Sequence, residues 1–142
     1  MNKDLISTDK KKESIDTFNT TREKIISSDR RFSEKNDHLL FENIDLYDIS
    51  KKIQTPFYLY SELEIIRNIT EIKEAFKNYP NTKIFYASKA CSLIKILEIV
   101  KDNEIFAEAN SIYEIMKCIK SGFKGSEIIF NGVLKKKSDL EY

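Results

Sequence analysis

From Thr55 onward the chain alternates between short apolar runs and longer stretches of helical period. Runs of strand length occur at Pro56–Tyr60 (PFYLY), Lys83–Ala87 (KIFYA), Ile105–Ala109 (IFAEA) and Glu127–Phe130 (EIIF). Aromatic and β-branched residues dominate three of them, the composition that suits a pleated, half-buried surface. A helical pattern follows each of the first three runs. Residues 61–78 place Leu63, Ile66, Ile69, Ile72 and Phe76 on one face. Residues 92–101 do the same with Leu93, Ile96, Leu97 and Val100, and residues 111–121 with Ile112, Ile115, Met116 and Ile119. Ser61/Glu64, Ser111/Glu114 and Ser138/Glu141 have capping-box spacing, in which hydroxyl and carboxylate each satisfy an orphan backbone N–H. Gly122 sits where the third helix should stop.

Strand and helix repeated in this way predict βα units around a parallel sheet. The pattern suits a small doubly wound sheet or about half of a (β/α)₈ barrel, since a full barrel takes about 250 residues. The segment 138–142 begins a helix and breaks off, so the sequence reads as truncated. Upstream, residues 1–36 are rich in Ser, Thr, Asn, Asp and Lys, and are expected to form a flexible N-terminal extension with at most a fragment of helix near 21–28. Residues 37–142 are then the folded domain. His38-Leu39-Leu40-Phe41 opens it, and residues 44–49 are expected to form a short lead-in helix.

Composition changes this picture little. Lys plus Arg number 24 against 23 Asp plus Glu, for a formal net charge of +1. No global field therefore directs the chain to nucleic acid or an anionic membrane. No apolar stretch is long enough for a membrane span, and the first twelve residues lack the apolar core of a secretory signal, so a cytoplasmic location is expected. Two cysteines, Cys91 and Cys118, make neither a disulfide framework nor a metal knuckle, and small core residues are the ordinary reading of both. A single histidine, His38, leaves no basis for a metal site or a Ser-His-Asp triad, and its polar surroundings suit a surface residue.

Candidate chemistry lies at the carboxyl ends of the strands, the functional face of either architecture. Those ends carry Ser88-Lys89-Ala90-Cys91, Glu108-Ala109-Asn110-Ser111 and Asn131-Gly132. A lysine two residues beyond a buried strand can be held against a low-dielectric floor, which lowers its pKa and favours attack on an aldehyde. Most lysines at strand ends are simply solvated. Glu108 can be a surface acid, and Ser111 with Glu114 is accounted for as a helix cap. On spacing alone the chain is an α/β protein of open function.

Four motifs in order go further. Thr55-Pro-Phe-Tyr-Leu-Tyr-Ser-Glu62 resembles the Thr-Pro-hydrophobic-Tyr-Val-Tyr segment of diaminopimelate decarboxylases. Phe85-Tyr-Ala-Ser-Lys-Ala90 is similar to their Tyr-Ala-Val-Lys-Ala-Asn motif and to that of ornithine and arginine decarboxylases. Phe106 to Glu114 resembles their Asp-Val-x-Ser-x-Gly-Glu segment. Residues 121–132 look like their Ala-Gly-Phe…Glu-x-Ile…Gly segment. This resemblance to the pyridoxal 5′-phosphate (PLP)-dependent decarboxylases runs from about Phe41 onward. It implies the alanine-racemase-like fold, with Lys89 forming the internal aldimine and an amino acid as substrate. It also implies cofactor-binding roles for Glu108, an acid near the ring, and for Ser111 and Glu114 after it. Gln54, Cys91, Glu108 and the bulky Ile112-Tyr113 depart from the family pattern, the last two able to narrow the space beside the cofactor.

In the family, the ring-stacking histidine, the glycine-rich phosphate cradle and the substrate-reading residues come later in the chain than anything here. The resemblance therefore implies the N-terminal portion of a decarboxylase, inactive alone and completed by a C-terminal complementing chain or in a homodimer. The alternatives are a non-catalytic interaction protein that docks on a full-length decarboxylase, and a relic without a stable fold. Thr-Pro-Phe-Tyr-Leu-Tyr tilts the substrate toward diaminopimelate.

Overall fold

A computed structural model describes residue 17 and residues 19–141, which divide into two compact units between Leu59 and Tyr60. In the first unit a helix, α1, covers 19–28. Three short antiparallel strands follow: β1 (Phe32–Lys35), β2 (His38–Phe41) and β3 (Ile44–Asp45). Lys35 faces His38 and Phe41 faces Ile44, so both connections are two-residue turns. Their central residues, Asn36-Asp37 and Glu42-Asn43, all have positive φ, the geometry whose twist matches that of the flanking strands. Asn and Asp tolerate that region because their short side chains bond locally.

Part of the expected extension thus carries regular structure. The fragment of helix expected near 21–28 is formed within α1, and Phe32 stacks against Phe41 at 5.1 Å between ring centroids. Residues 1–16 and 18 lie outside the described residues. The lead-in helix is α2 (Leu46–Ser50), capped by Asp45, which accepts from the N–H of Tyr47 at 2.8 Å. The second Asp45 oxygen lies 2.6 Å from His38 Nδ1, and the imidazole stands edge-on to Tyr47. His38 is a half-buried structural partner of Asp45.

One carboxylate here is tuned strongly enough to predict its titration. The side chain of Arg31, then its backbone N–H, hold the Asp29 carboxyl at about 2, down from 3.8. A depressed folded-state pKa means this pair stabilises the unit fully above about pH 4, and that the contribution disappears as pH falls toward 2. A carbon-detected NMR titration should give Asp29 a midpoint near 2, returning toward 3.8 in Arg31→Ala. An unchanged midpoint in that variant would remove the pair as the cause.

In the second unit, Ser61 caps α3 (Glu62–Ala75) by accepting from the N–H of Glu64 at 3.0 Å. There follow β4 (Phe85–Ala87), α4 (Ile94–Asp102), β5 (Phe106–Ala109), α5 (Ile112–Lys120), a 3₁₀ turn at Gly125–Glu127, β6 (Ile128–Phe130) and α6 (Lys137–Leu140). The three strands form a parallel sheet in the order β4-β5-β6, with Ala87 opposite Glu108 and Ala109 opposite Phe130. This is the expected α/β architecture of alternating βα units.

Its details correct several expectations. Residues 56–60 form no strand: they pair with nothing in a ladder, and Tyr58 is 91% exposed. An apolar run of strand length becomes a strand only if a neighbour takes its backbone hydrogen bonds. The face of α3 also differs. Ile65, Ile66 and Ile69 are half-buried, whereas Leu63, Ile72 and Phe76 are exposed. Ile69 and Ile72 border an apolar cavity of about 100 Å³ with Ile84, Tyr86, Val100 and Ile105, so α3 lies incompletely seated over β4. In α4, Ile99 joins Ile96, Leu97 and Val100 in the interior, while Leu93 becomes the exposed N-cap residue.

The core comprises Ile96, Leu97 and Val100 of α4, Ile105 and Ala107 of β5 with its approach, Cys118 of α5, and Phe123. Cys118 is fully buried, and burial first, then the Glu114 charge, push its thiol up. It is a core residue, as expected. Gly122 (φ 93°) ends α5: its N–H bonds the carbonyl of Ile119 at 3.0 Å and that of Phe123 bonds Cys118 at 3.1 Å. That 5→2 and 6→1 pair defines a Schellman cap, with Phe123 tucked into the core behind it. The third capping box is shifted: α6 begins one residue ahead of Ser138, and the Asp139 carboxylate takes the N–H of Lys136 at 3.0 Å.

Candidate active site at the strand ends

Side-chain alternation sorts the second sheet into two faces. Ala107 and Ala109 are fully buried, and Ala107, Tyr86 and Ile128 pack with the core formed by the helices. Phe85, Ala87, Phe106, Glu108 and Ile129 therefore project from the opposite face. There the Phe85 and Phe106 rings meet at 5.2 Å and Ile129 is 46% exposed. In a (β/α)₈ barrel the face away from the helices is the lumen. It is apolar at the amino ends of the strands and polar at the carboxyl ends.

Lys89 stands in the turn that follows β4, closed by the Ala90 N–H bonding the Ala87 carbonyl at 3.0 Å. It is exposed, which corrects the expectation of a partly dehydrated amine: desolvation needs walls on several sides, and these strands provide one. On the same rim Asn131 Nδ2 donates to Glu108 Oε1 at 2.9 Å, joining the ends of β5 and β6. Asn131 N–H continues the ladder to the Ala109 carbonyl at 2.8 Å, and Ser88 N–H to the Glu108 carbonyl at 2.9 Å.

Ser111 and Glu114 do not join this face. Ser111 Oγ accepts from the Glu114 N–H at 3.3 Å and caps α5. The Glu114 carboxylate does not complete the reciprocal bond of a capping box. Its Oε2 accepts instead from Ser88 Oγ at 2.9 Å and from the Asn110 N–H at 2.7 Å. Ser88 is fully buried, so its hydroxyl must be satisfied within the fold. Of the four residues singled out in the sequence, Glu108 lies on the lumen side, Ser111 and Glu114 on the helix side, and Lys89 in the exposed turn beyond β4. Tyr113 is 74% exposed in the first turn of α5 and Ile112 half-buried. Cys91 is half-buried, its Sγ 3.8 Å from the Tyr60 hydroxyl.

Sequence reasoning missed the roles of Ser88 and Asn131. The parity of Ser88, one residue past Ala87, was the available signal for its helix-side position. Asn131 offered none beyond lying at a strand end. Gly132 stands at a strand end in the sequence, which says nothing of its packing. A Cβ there would lie 2.3 Å from the Asn110 carbonyl oxygen and 2.8 Å from the Phe130 ring. Gly132→Ala should therefore force the β5 and β6 termini apart and cost about 1–3 kcal/mol. Gly125→Ala, with nothing within 4 Å, should stay within about 0.5 kcal/mol. Equal urea midpoints for the two variants would contradict this packing.

The arrangement can be tested against a cofactor that carries an aldehyde and a phosphate. An exposed primary amine two residues beyond Ala87, the residue opposite Glu108 in the sheet, fits the aldehyde end. The phosphate end finds no glycine-rich cradle. Gly122 caps a helix, Gly125 lies in the 3₁₀ turn, and Gly132 is closed off by a carbonyl oxygen, which repels an anion. Among the described residues no group of three His, Cys, Asp or Glu is placed to hold a metal ion, and no helix is long and apolar enough to cross a membrane.

Lysine at the β4 terminus, acid at the β5 terminus and an open lumen face agree with a family match over residues 63–142 to the pyridoxal-binding domain of pyridoxal-dependent decarboxylases. The chain belongs to that family, whose cofactor is PLP. Its relatives include diaminopimelate decarboxylases. That of Campylobacter jejuni is 35% identical over 97 residues, covering 68% of this chain and 24% of the relative. That of Helicobacter pylori is 37% identical over 102 residues, covering 72% and 24%. Among solved structures, the diaminopimelate decarboxylase of M. jannaschii superimposes with a TM-score of 0.72 at 26% identity, over 79% of this chain and 27% of that one. The chain thus spans about a quarter of the length of the relatives it matches.

Proposed function

We propose that this chain supplies the lysine-bearing quarter of a PLP-dependent amino-acid decarboxylase of the diaminopimelate type, and is inactive alone. The observation that carries this is Lys89 itself, an open amine at the carboxyl end of the first parallel strand, within the family match. When bound, PLP supplies an electron sink for the charge left by departing CO₂. The protein's share is to hold and orient. Lys89 Nζ is the group that would hold the aldehyde carbon. Glu108, kept in place by Asn131, is the acid at the same rim, able to accept a hydrogen bond from a cationic or protonated neighbour. Phe85, Phe106 and Ile129 form the apolar floor beneath, which excludes water once the opposite wall is present.

In this reading the phosphate site, the substrate-reading groups and the opposite wall come from polypeptide outside these 142 residues, in the same chain, in a second one or in a partner copy. The substrate is an amino acid. The H. pylori diaminopimelate decarboxylase has been crystallised with L-lysine, and the likeness to diaminopimelate decarboxylases favours diaminopimelate for this chain too. A cytoplasmic setting fits Cys91 and Cys118, both free thiols.

The test is reduction of a PLP-treated sample with borohydride, followed by peptide mapping. The pyridoxyl group should concentrate on the peptide containing Lys89. Even labelling over the surface lysines would defeat the proposal.

A further inference from the structure

Glu114 is where the resemblance and the geometry part. The resemblance placed it among cofactor-binding groups, yet its carboxylate is directed to the helix side of the sheet. There Oε2 takes two hydrogen bonds, from Ser88 Oγ at 2.9 Å and from the Asn110 N–H at 2.7 Å. Ser88 directly precedes Lys89, and Asn110 directly follows β5. One oxygen of α5 therefore ties the turn that carries the lysine to the end of the neighbouring strand. The Glu114 backbone is itself anchored, since its N–H bonds Ser111 Oγ at 3.3 Å. The Ser88 hydroxyl is 0% exposed and has no water to fall back on. Charge on Glu114 also reaches inward, raising the Cys118 thiol after the effect of burial.

We propose that Glu114 is a positioning residue for Lys89, acting through buried Ser88 rather than by touching the cofactor. The proposal rests on the reading of Lys89 given above. Hydrogen bonds to an ionised acceptor are shorter and stronger than neutral ones, and a single oxygen shared by two donors fixes their separation. The Ser88 backbone adds a second restraint, its N–H bonding the Glu108 carbonyl at 2.9 Å. Held at side chain and backbone alike, residue 88 leaves the next residue little freedom of backbone direction. Lys89 is then aimed by its backbone, with its side chain free to meet an aldehyde.

Three variants separate this from a role at the cofactor. Glu114→Gln keeps an amide oxygen that can accept both bonds. Glu114→Ala loses both, and Ser88→Ala loses only the link to the turn. Each is checked for cooperative unfolding, then read in two ways on the full chain. The first is hydrogen exchange at Ala90, whose N–H closes the turn, and at Asn110. The second is the share of borohydride-fixed pyridoxyl label carried by Lys89. Loss of a buried hydrogen bond should raise exchange on the order of 5- to 10-fold. At Ala90 the rise is expected in Ser88→Ala and Glu114→Ala, and at Asn110 in Glu114→Ala alone. Selectivity for Lys89 should fall with Ala90 protection and be largely retained in Glu114→Gln.

Unchanged exchange at Ala90 in both alanine variants would overturn the proposal. So would label lost equally in Glu114→Gln and Glu114→Ala while Ser88→Ala behaves as the parent, because the charge would then act on the cofactor itself. If the parent chain shows no preference for Lys89, the functional reading has failed, and the exchange data alone decide whether Glu114 clamps the turn.

Discussion

Lys89→Ala should remove the reducible PLP adduct from the rim altogether. The expected readout is a pyridoxyl label on the peptide containing residue 89 in the parent chain and only background label there in the variant, with scattered labelling of other lysines unchanged. The reason is chemical. Imine formation needs a primary amine that can reach the aldehyde, and the turn after β4 carries Lys89 exposed. Lys89→Arg should not restore the adduct, because guanidinium stays protonated and is no nucleophile. Lys83→Ala is the control. Lys83 lies before the same strand at its amino end, 5.2 Å over the Phe106 ring, away from the rim. If Lys83→Ala and Lys89→Ala lower the total label alike, the strand-end position confers nothing.

The second large effect is on stability. Leu97 is fully buried in α4, surrounded by Val100, Ala107, Cys118 and Phe123. Truncation to alanine removes apolar contacts and leaves a cavity that the sheet cannot collapse to fill, so Leu97→Ala should cost about 2–5 kcal/mol. A folded unit of this size has about 4–12 kcal/mol in all, so the loss is a large fraction of its stability. Leu93→Ala, one turn earlier and half exposed, should stay below about 1 kcal/mol. Urea titrations followed by circular dichroism rank the two, and a smaller effect at Leu97 than at Leu93 would contradict the assigned core.

Much of this was legible because period and punctuation are local. Ala107 and Ala109 alternate with Phe106 and Glu108 in the sequence as they do in space. Gly122 marked the end of α5 because a left-handed cap is unfavourable for residues with a Cβ. Lys89 and Glu108 could be placed at strand ends for the same reason. Illegible were features that depend on a neighbour. Residues 56–60 have the composition of a strand, but a ladder requires a second backbone. Ile65 rather than Leu63 faces inward on α3, since the packing of the helix against α4 and the core chooses among adjacent apolar residues.

The site divides in the same way. Sequence alone determined the chemistry available at the rim, an amine, a carboxylate and amides at three successive strand ends, together with the family to which they belong. Tertiary structure decided which face each group occupies: Glu108 goes with Asn131 toward the lumen, and Glu114 with Ser88 toward the helices. Two carboxylates six residues apart look alike in a linear pattern. They differ once a pleated strand and the helix after it send them to opposite sides of one sheet.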